Sequence, residues 1–244
     1  VHAPIREERI LEKREIGISR RLFVAGAAAA SAVTMAAGAV AAPPAGPAVQ
    51  PDDALGRLTA GNARFVAGNL THGNLAVERR RAFATYQAPF ASVLSCSDSR
   101  VPPELIFDQN LGDLFVIRVA GNFADEIGLA TIEYGYSALH AKLLLVLGHE
   151  GCGAIKATVD AIKSNTELPR HLDALQREIT PGIESIAKTG TYDECVIANV
   201  RTQVANLRQA KPVLAGAVAS GDLRIVGAEY TLRSGKVRLL DSAG

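Results

Sequence analysis

Apolar runs of six or seven residues alternate along this chain with longer stretches in which apolar positions recur at helical spacing. The runs are Phe90 to Ser95, Leu114 to Val119 and Lys142 to Gly148, and each reads as a strand buried on both faces. Between them, Glu126 to Leu139 places Ile127, Ala130, Thr131, Tyr134 and Ala138 on a helical period. Gly151 to Ile162 opens a further helix, and residues 171–188 and 193–210 predict two more. Leu223 to Leu232 and Val237 to Leu240 read as strands joined at Ser234-Gly235, a hairpin signal. Fully buried strands alternating with helices imply an α/β fold. Its central sheet is mostly parallel and flanked by helices, and the final hairpin supplies an antiparallel edge strand.

Upstream of the first strand the pattern is weaker. Leu55, Leu58, Phe65 and Val66 fall near helical spacing, with a break expected at Gly61-Asn62 and a cap at Asp52 or Asp53. Residues 73–85 are polar and include Arg79-Arg80-Arg81, the pattern of a solvated helix. Residues 1–21 hold six basic and four acidic side chains, and Leu22 to Ala42 hold none. Charge, then an Ala- and Gly-rich apolar run, then Pro43, Pro44 and Pro47, is the order of an export signal. Ser19-Arg20-Arg21-Leu22-Phe23-Val24 resembles the twin-arginine type, and Ala39-Val40-Ala41 offers a cleavage pattern. An uncleaved membrane tether is the alternative, but Ala and Gly transfer weakly into lipid. The organisation expected is therefore a signal over 1–42, a linker over 43–53 and one domain over 54–244, exported to the periplasm or secreted.

Charge and cysteine count narrow the classes. Residues 1–42 carry six of the 26 Lys and Arg and four of the 25 Asp and Glu, which leaves the remainder at a net charge of −1. Beyond residue 21 the one basic run is Arg79-Arg80-Arg81, so there is no electrostatic footprint for nucleic acid. No stable membrane partner is expected once the signal is removed. Three cysteines, Cys96, Cys152 and Cys195, are too few for a disulfide framework and suit a metal site, a reactive thiol or packing.

Cys96 follows the first predicted strand, His149 follows the third, and Cys152 comes three positions later. The carboxyl ends of parallel strands lie along one edge of a sheet, so Cys96 and His149 can meet there. Two thiolates and an imidazole suit Zn²⁺. Three protein ligands leave a fourth position where bound water ionises near pH ~7, giving a hydroxide able to attack a small electrophile. Asp98 and Arg100 stand two and four residues past Cys96. Asp98 either pairs with Arg100 and accepts a hydrogen bond from that hydroxide, or takes the fourth position and closes the site. Cys195 reads as core packing, and His72, His140 and His171 have no ligand spacing to the site.

Cys96-Ser97-Asp98-Ser99-Arg100-Val101 followed by Gly148-His149-Glu150-Gly151-Cys152-Gly153 resembles the paired signature of β-carbonic anhydrases, and the similarity runs roughly from Leu55 to Leu240. The resemblance implies one Zn²⁺ per chain on Cys96, His149 and Cys152, with an Asp98–Arg100 dyad that frees or closes the metal. It implies reversible hydration of carbon dioxide to bicarbonate and a proton by zinc-bound hydroxide, and a homodimer or higher oligomer. It also implies that Gln87 and Phe115 contact the substrate, Gln87 across a dimer interface, and that Gly121-Asn122 forms a short turn. Arg118 and Tyr230 match two members of a regulatory bicarbonate pocket, but Val93 stands where that pocket has Trp, and the chain has no Trp.

Two other readings share these residues. One keeps the site but acts on carbon disulfide or carbonyl sulfide. The other is a non-catalytic zinc or redox protein, in which an oxidising compartment joins Cys96 to Cys152. Twin-arginine export carries folded chains, so metal loaded beforehand would protect both thiols. Purified mature protein is expected to contain about one zinc per chain and no Cys96–Cys152 bond, measured by elemental analysis and thiol titration. A disulfide without metal overturns the enzyme reading.

Overall fold

A computed structural model describes residues 48–71 and 77–240. The predicted signal and residues 43–47 of the predicted linker lie outside the described residues. The central sheet has strands β1 (Ala91–Ser95), β2 (Leu114–Arg118), β3 (Leu143–His149), β4 (Arg224–Tyr230) and β5 (Val237–Leu240) in the order β2-β1-β3-β4-β5. All pairings are parallel except β4 with β5, as the hairpin signal predicts. From β1 the chain goes to β2 on one side and then returns to β3 on the other. The order therefore reverses between β1 and β3, and at such a switch the connections diverge and open a crevice at the strand ends.

Strand β3 is buried along its whole length, which is why its sequence is unbroken apolar. Leu143, Leu145 and Leu147 face one side with Leu58, Ile106 and Phe107. Leu144 and Val146 face the other with Ile132, Val200 and Val204. Each such side chain contributes about 1.5–3 kcal/mol by leaving water. The helices among the described residues are α1 (Pro51–Ala67), α2 (Val77–Ala82), α3 (Pro103–Ile106), α4 (Glu126–Ser137), α5 (Gly153–Ser164), α6 (Leu172–Ala187), α7 (Tyr192–Gln209) and α8 (Leu214–Ala219). Helices α3 and α8 have only four and six residues, too short to show a period. No helix among the described residues is long and apolar enough to cross a membrane.

The sequence expectations for α1 need two corrections. The helix begins at Pro51 behind Gln50, so Asp52 and Asp53 sit in the first turn, where they favour the positive end of the helix dipole. It also runs unbroken through Gly61-Asn62. Gly61 is there because a Cβ would lie 1.7 Å from the Phe107 carbonyl oxygen. Asn62 is buried and donates to Ile106 O (3.2 Å) and Gly235 O (2.9 Å), while accepting from Val237 N (2.9 Å). These two residues dock α1 on the sheet through α3 and the β4–β5 hairpin.

Two glycines of the same helix give opposite expectations. Gly56→Ala meets nothing within 4 Å and should be neutral or stabilising by up to about 1 kcal/mol. Gly61→Ala forces backbone apart and should cost about 1–3 kcal/mol. Chemical denaturation of both variants checks the ordering.

Candidate metal centre

Register sets the first contact of the site. Ser95 pairs with Leu147, so the chain leaving β1 passes directly beside the end of β3. Cys96 and His149, 53 positions apart in sequence, thereby meet. Cys152 joins them as the N-cap of α5, reached through Gly151 at φ 65°. The ligand atoms of Cys96, His149 and Cys152 all lie within 4.8 Å of one another, and all three residues are buried.

Three observations show that this donor set fits zinc. The two sulfurs are 4.0 Å apart, close to the edge of about 3.8 Å expected when both bind one tetrahedral zinc, and far beyond a disulfide bond. His149 Nδ1 lies 2.9 Å from Glu150 O, and a carbonyl only accepts, so Nδ1 carries the proton. Nε2 is thereby left as the basic nitrogen, and it is buried with no partner among the described residues. Finally, the thiols are electrostatically unequal. Hydrogen bonding from Cys152 brings the Cys96 thiol down to about 4 against the opposing effect of burial, with help from His149 and the Gly121 and Asp98 amides. The Cys152 thiol is pushed up, first by Cys96 and then by its own burial. Two adjacent thiolates repel, and a bound dication relieves that repulsion.

Asp98 is turned onto Arg100. Its Oδ1 accepts from the Arg100 amide (2.9 Å) and Nε (3.0 Å), and its Oδ2 accepts from Nη2 (2.7 Å). Arg100 in this way holds the Asp98 carboxyl well below the usual carboxylate range. A depressed value means the charged pair is intact above the ordinary carboxylate pKa. It is lost only as pH falls below that value, so the pair survives throughout the neutral range. Of the two arrangements open to Asp98, the structure holds the paired one.

Other predicted residues lie elsewhere. Gln87 is exposed and precedes β1, so the strand itself, about 16 Å long, separates it from the end that bears Cys96. Phe115 is the second residue of β2, with its ring 6.0 Å from that of Tyr134 on α4. Neither joins the three donors within this chain. Cys195 is buried in the cluster around Cys96 and Cys152 but offers no ligand atom to the group. His140 and His171 are likewise outside it, and His72 lies outside the described residues.

Three supporting contacts were not legible beforehand. Arg118 donates from Nε to Cys96 O (2.9 Å) and from Nη2 to Asp98 O (2.6 Å), clamping the loop that carries both residues. Asp193, on α7, accepts from Gly151 N at 3.2 Å and holds the turn between His149 and Cys152. The Gly121 amide donates to Cys96 Sγ at 3.4 Å. Each partner comes from a distant position and has no spacing signal.

Comparison with known proteins agrees with this geometry. The family model described as carbonic anhydrase matches residues 91–237. A carbonic anhydrase of Mycolicibacterium smegmatis is 40% identical over 189 residues, covering 77% of this chain and 92% of that protein. The structure of the β-carbonic anhydrase CcaA superposes with a TM-score of 0.61 at 28% identity, covering 78% of this chain and 88% of the other. One of two tetrameric β-carbonic anhydrases from Sordaria macrospora superposes with a TM-score of 0.60 at 25% identity, covering 78% and 97%.

Proposed function

We infer the reaction from family and site together: the chain belongs to the β-carbonic anhydrase family, and Cys96, His149 and Cys152 converge where zinc fits. It is a carbonic anhydrase, a lyase that interconverts carbon dioxide and water with bicarbonate and a proton. The observation that carries this reading is the three-donor group with Asp98 turned away onto Arg100. Zinc held by the three donors lowers the pKa of water toward ~7 and so supplies a nucleophile at neutral pH.

The remaining work falls to the protein's own groups. Asp98 is ionised, so it can only accept. It is suited to hold the hydroxyl proton of the nucleophile, which turns an oxygen lone pair toward the carbon of carbon dioxide. Bicarbonate keeps that proton, so the same hydrogen bond can persist into the product. Arg100 keeps the carboxylate in place, and the Arg118 clamp keeps the loop in place. Arg100 holds the carboxylate by three hydrogen bonds outside the three-donor group, and Oδ2, which takes only one of them, keeps a lone pair for the nucleophile's hydroxyl.

The site reads as complete only with a second copy. Gln87 and Phe115 are the substrate contacts the family implies, and within one chain they lie apart from the donors. Strand β2 is an edge strand, and the elements flanking it expose Leu105, Leu111, Ile127 (73%) and Tyr134 (51%). An apolar margin beside an unpaired strand suits self-association. A homodimer across this edge is the arrangement proposed.

Export through the twin-arginine route is proposed from Arg20-Arg21 directly before the apolar run. Replacing both by Lys should retain the protein in the cytoplasm on fractionation, and unchanged export overturns the assignment. Asp98→Asn should lower kcat/KM by about 10²-fold or more in stopped-flow carbon dioxide hydration while the zinc content stays constant. Ile127→Asp combined with Tyr134→Asp should give a one-chain mass by light scattering, with zinc retained and activity reduced. A fully active wild-type monomer overturns the dimer.

A further inference from the structure

The segment Val119–Asn122 joins β2 toward α4 beside Cys96. Asn122 N donates to Val119 O at 3.0 Å, and Gly121, third in the turn, has φ 92° while Ala120 keeps a negative φ. That combination is a type II turn, which needs glycine at its third position. The Gly121 N–H belongs to the central peptide of the turn and donates to Cys96 Sγ at 3.4 Å. A type I turn reverses that central peptide, and the Ala120 carbonyl would then face the sulfur.

Two contacts keep the turn in place. A Cβ on Gly121 would lie 2.6 Å from Ile179 Cδ1, so the turn packs on α6 without room for a side chain. From α7, Asn199 Nδ2 donates to Gly121 O at 2.9 Å. The carbonyl only accepts, so the amide nitrogen must be the atom that faces it. Asn199 is fully buried, and a Cβ on Gly182 of α6 would sit 3.3 Å from both its Cα and its Oδ1. The amide is thus hemmed in by the neighbouring helix, 78 positions from the peptide it holds.

We propose that Asn199 is a positioning residue for the metal centre: through the Val119–Asn122 turn it keeps the Gly121 N–H aimed at Cys96 Sγ and so moderates that thiolate's donation to the metal. The inference rests on the zinc reading above. An N–H dipole at sulfur draws electron density away from the sulfur–metal bond and leaves the cation a stronger Lewis acid. The effect matters at this donor set because two thiolates together cancel both charges of a dication.

Cobalt(II) in place of zinc reports sulfur donation directly, through its sulfur-to-metal charge-transfer band. Losing the hydrogen bond raises the sulfur lone-pair energy and moves the band to longer wavelength. Asn199→Ala and Gly121→Ala, each at one cobalt per chain, are expected to show this red shift. Cys195→Ala, a buried α7 residue outside the three-donor group, should lower the melting temperature and leave the band unmoved. An unshifted band in Asn199→Ala at full occupancy overturns the proposal, and so do unshifted bands in both variants. If neither variant folds, wild-type protein loaded with cadmium-113 decides. A through-bond correlation from the metal to the Gly121 amide proton is expected, and its absence overturns the proposal. Wild type that takes up neither metal overturns the zinc reading itself, which distinguishes that failure from this one.

Discussion

The parallel pairing of β1 with β3 is the constraint on which the site depends. Ser95 lies opposite Leu147, so Cys96 leaves the sheet beside the strand end that bears His149. A parallel pair needs a long crossover, and here the crossover contains β2 and α4. That excursion is what makes the strand order reverse between β1 and β3. Apolar burial of β3 on both faces holds the register, because a one-residue slip would exchange the leucines that face α1 with those that face α7.

Electrostatics act on that frame. The donors sit in a buried pocket where adjacent thiolates repel and an imidazole nitrogen has no partner among the described residues. Such a place is costly without a cation and favourable with one. Asp98 lies next to it yet is committed to Arg100, which separates the two jobs a carboxylate could do there. Closing the metal and accepting a hydrogen bond from the nucleophile require different orientations, and three hydrogen bonds from Arg100 hold the carboxylate in the one proposed for the second.

Helix α7 ties the peripheral structure to this centre. Asp193 near its start holds the turn between His149 and Cys152, and Asn199 holds the turn beside Cys96. The same helix packs Val200 and Val204 against the sheet. The ligand loops are therefore braced by an element that contributes no ligand. The exposed apolar margin of β2 is where the proposed second copy would bring Gln87 and Phe115 to bear.

Periodicity was enough for the five strands and the longer helices, because burial on one or both faces leaves a repeating mark in the chain. The spacing Cys96…His149-Glu150-Gly151-Cys152 was enough for the three donors, because metal ligation demands particular side chains near strand ends. The continuity of α1 was not legible. Gly61 and Asn62 look like a break, and only the Phe107 carbonyl and the β4–β5 hairpin explain them. The paired state of Asp98 was not legible either, since both of its arrangements use the same residues. Arg118, Asp193 and Asn199 act through backbone groups far away in sequence, and a backbone partner leaves no residue type to recognise. The sequence by itself determined which side chains carry the chemistry. The tertiary structure decided how they are oriented, because orientation depends on peptides and packing that many different sequences could supply.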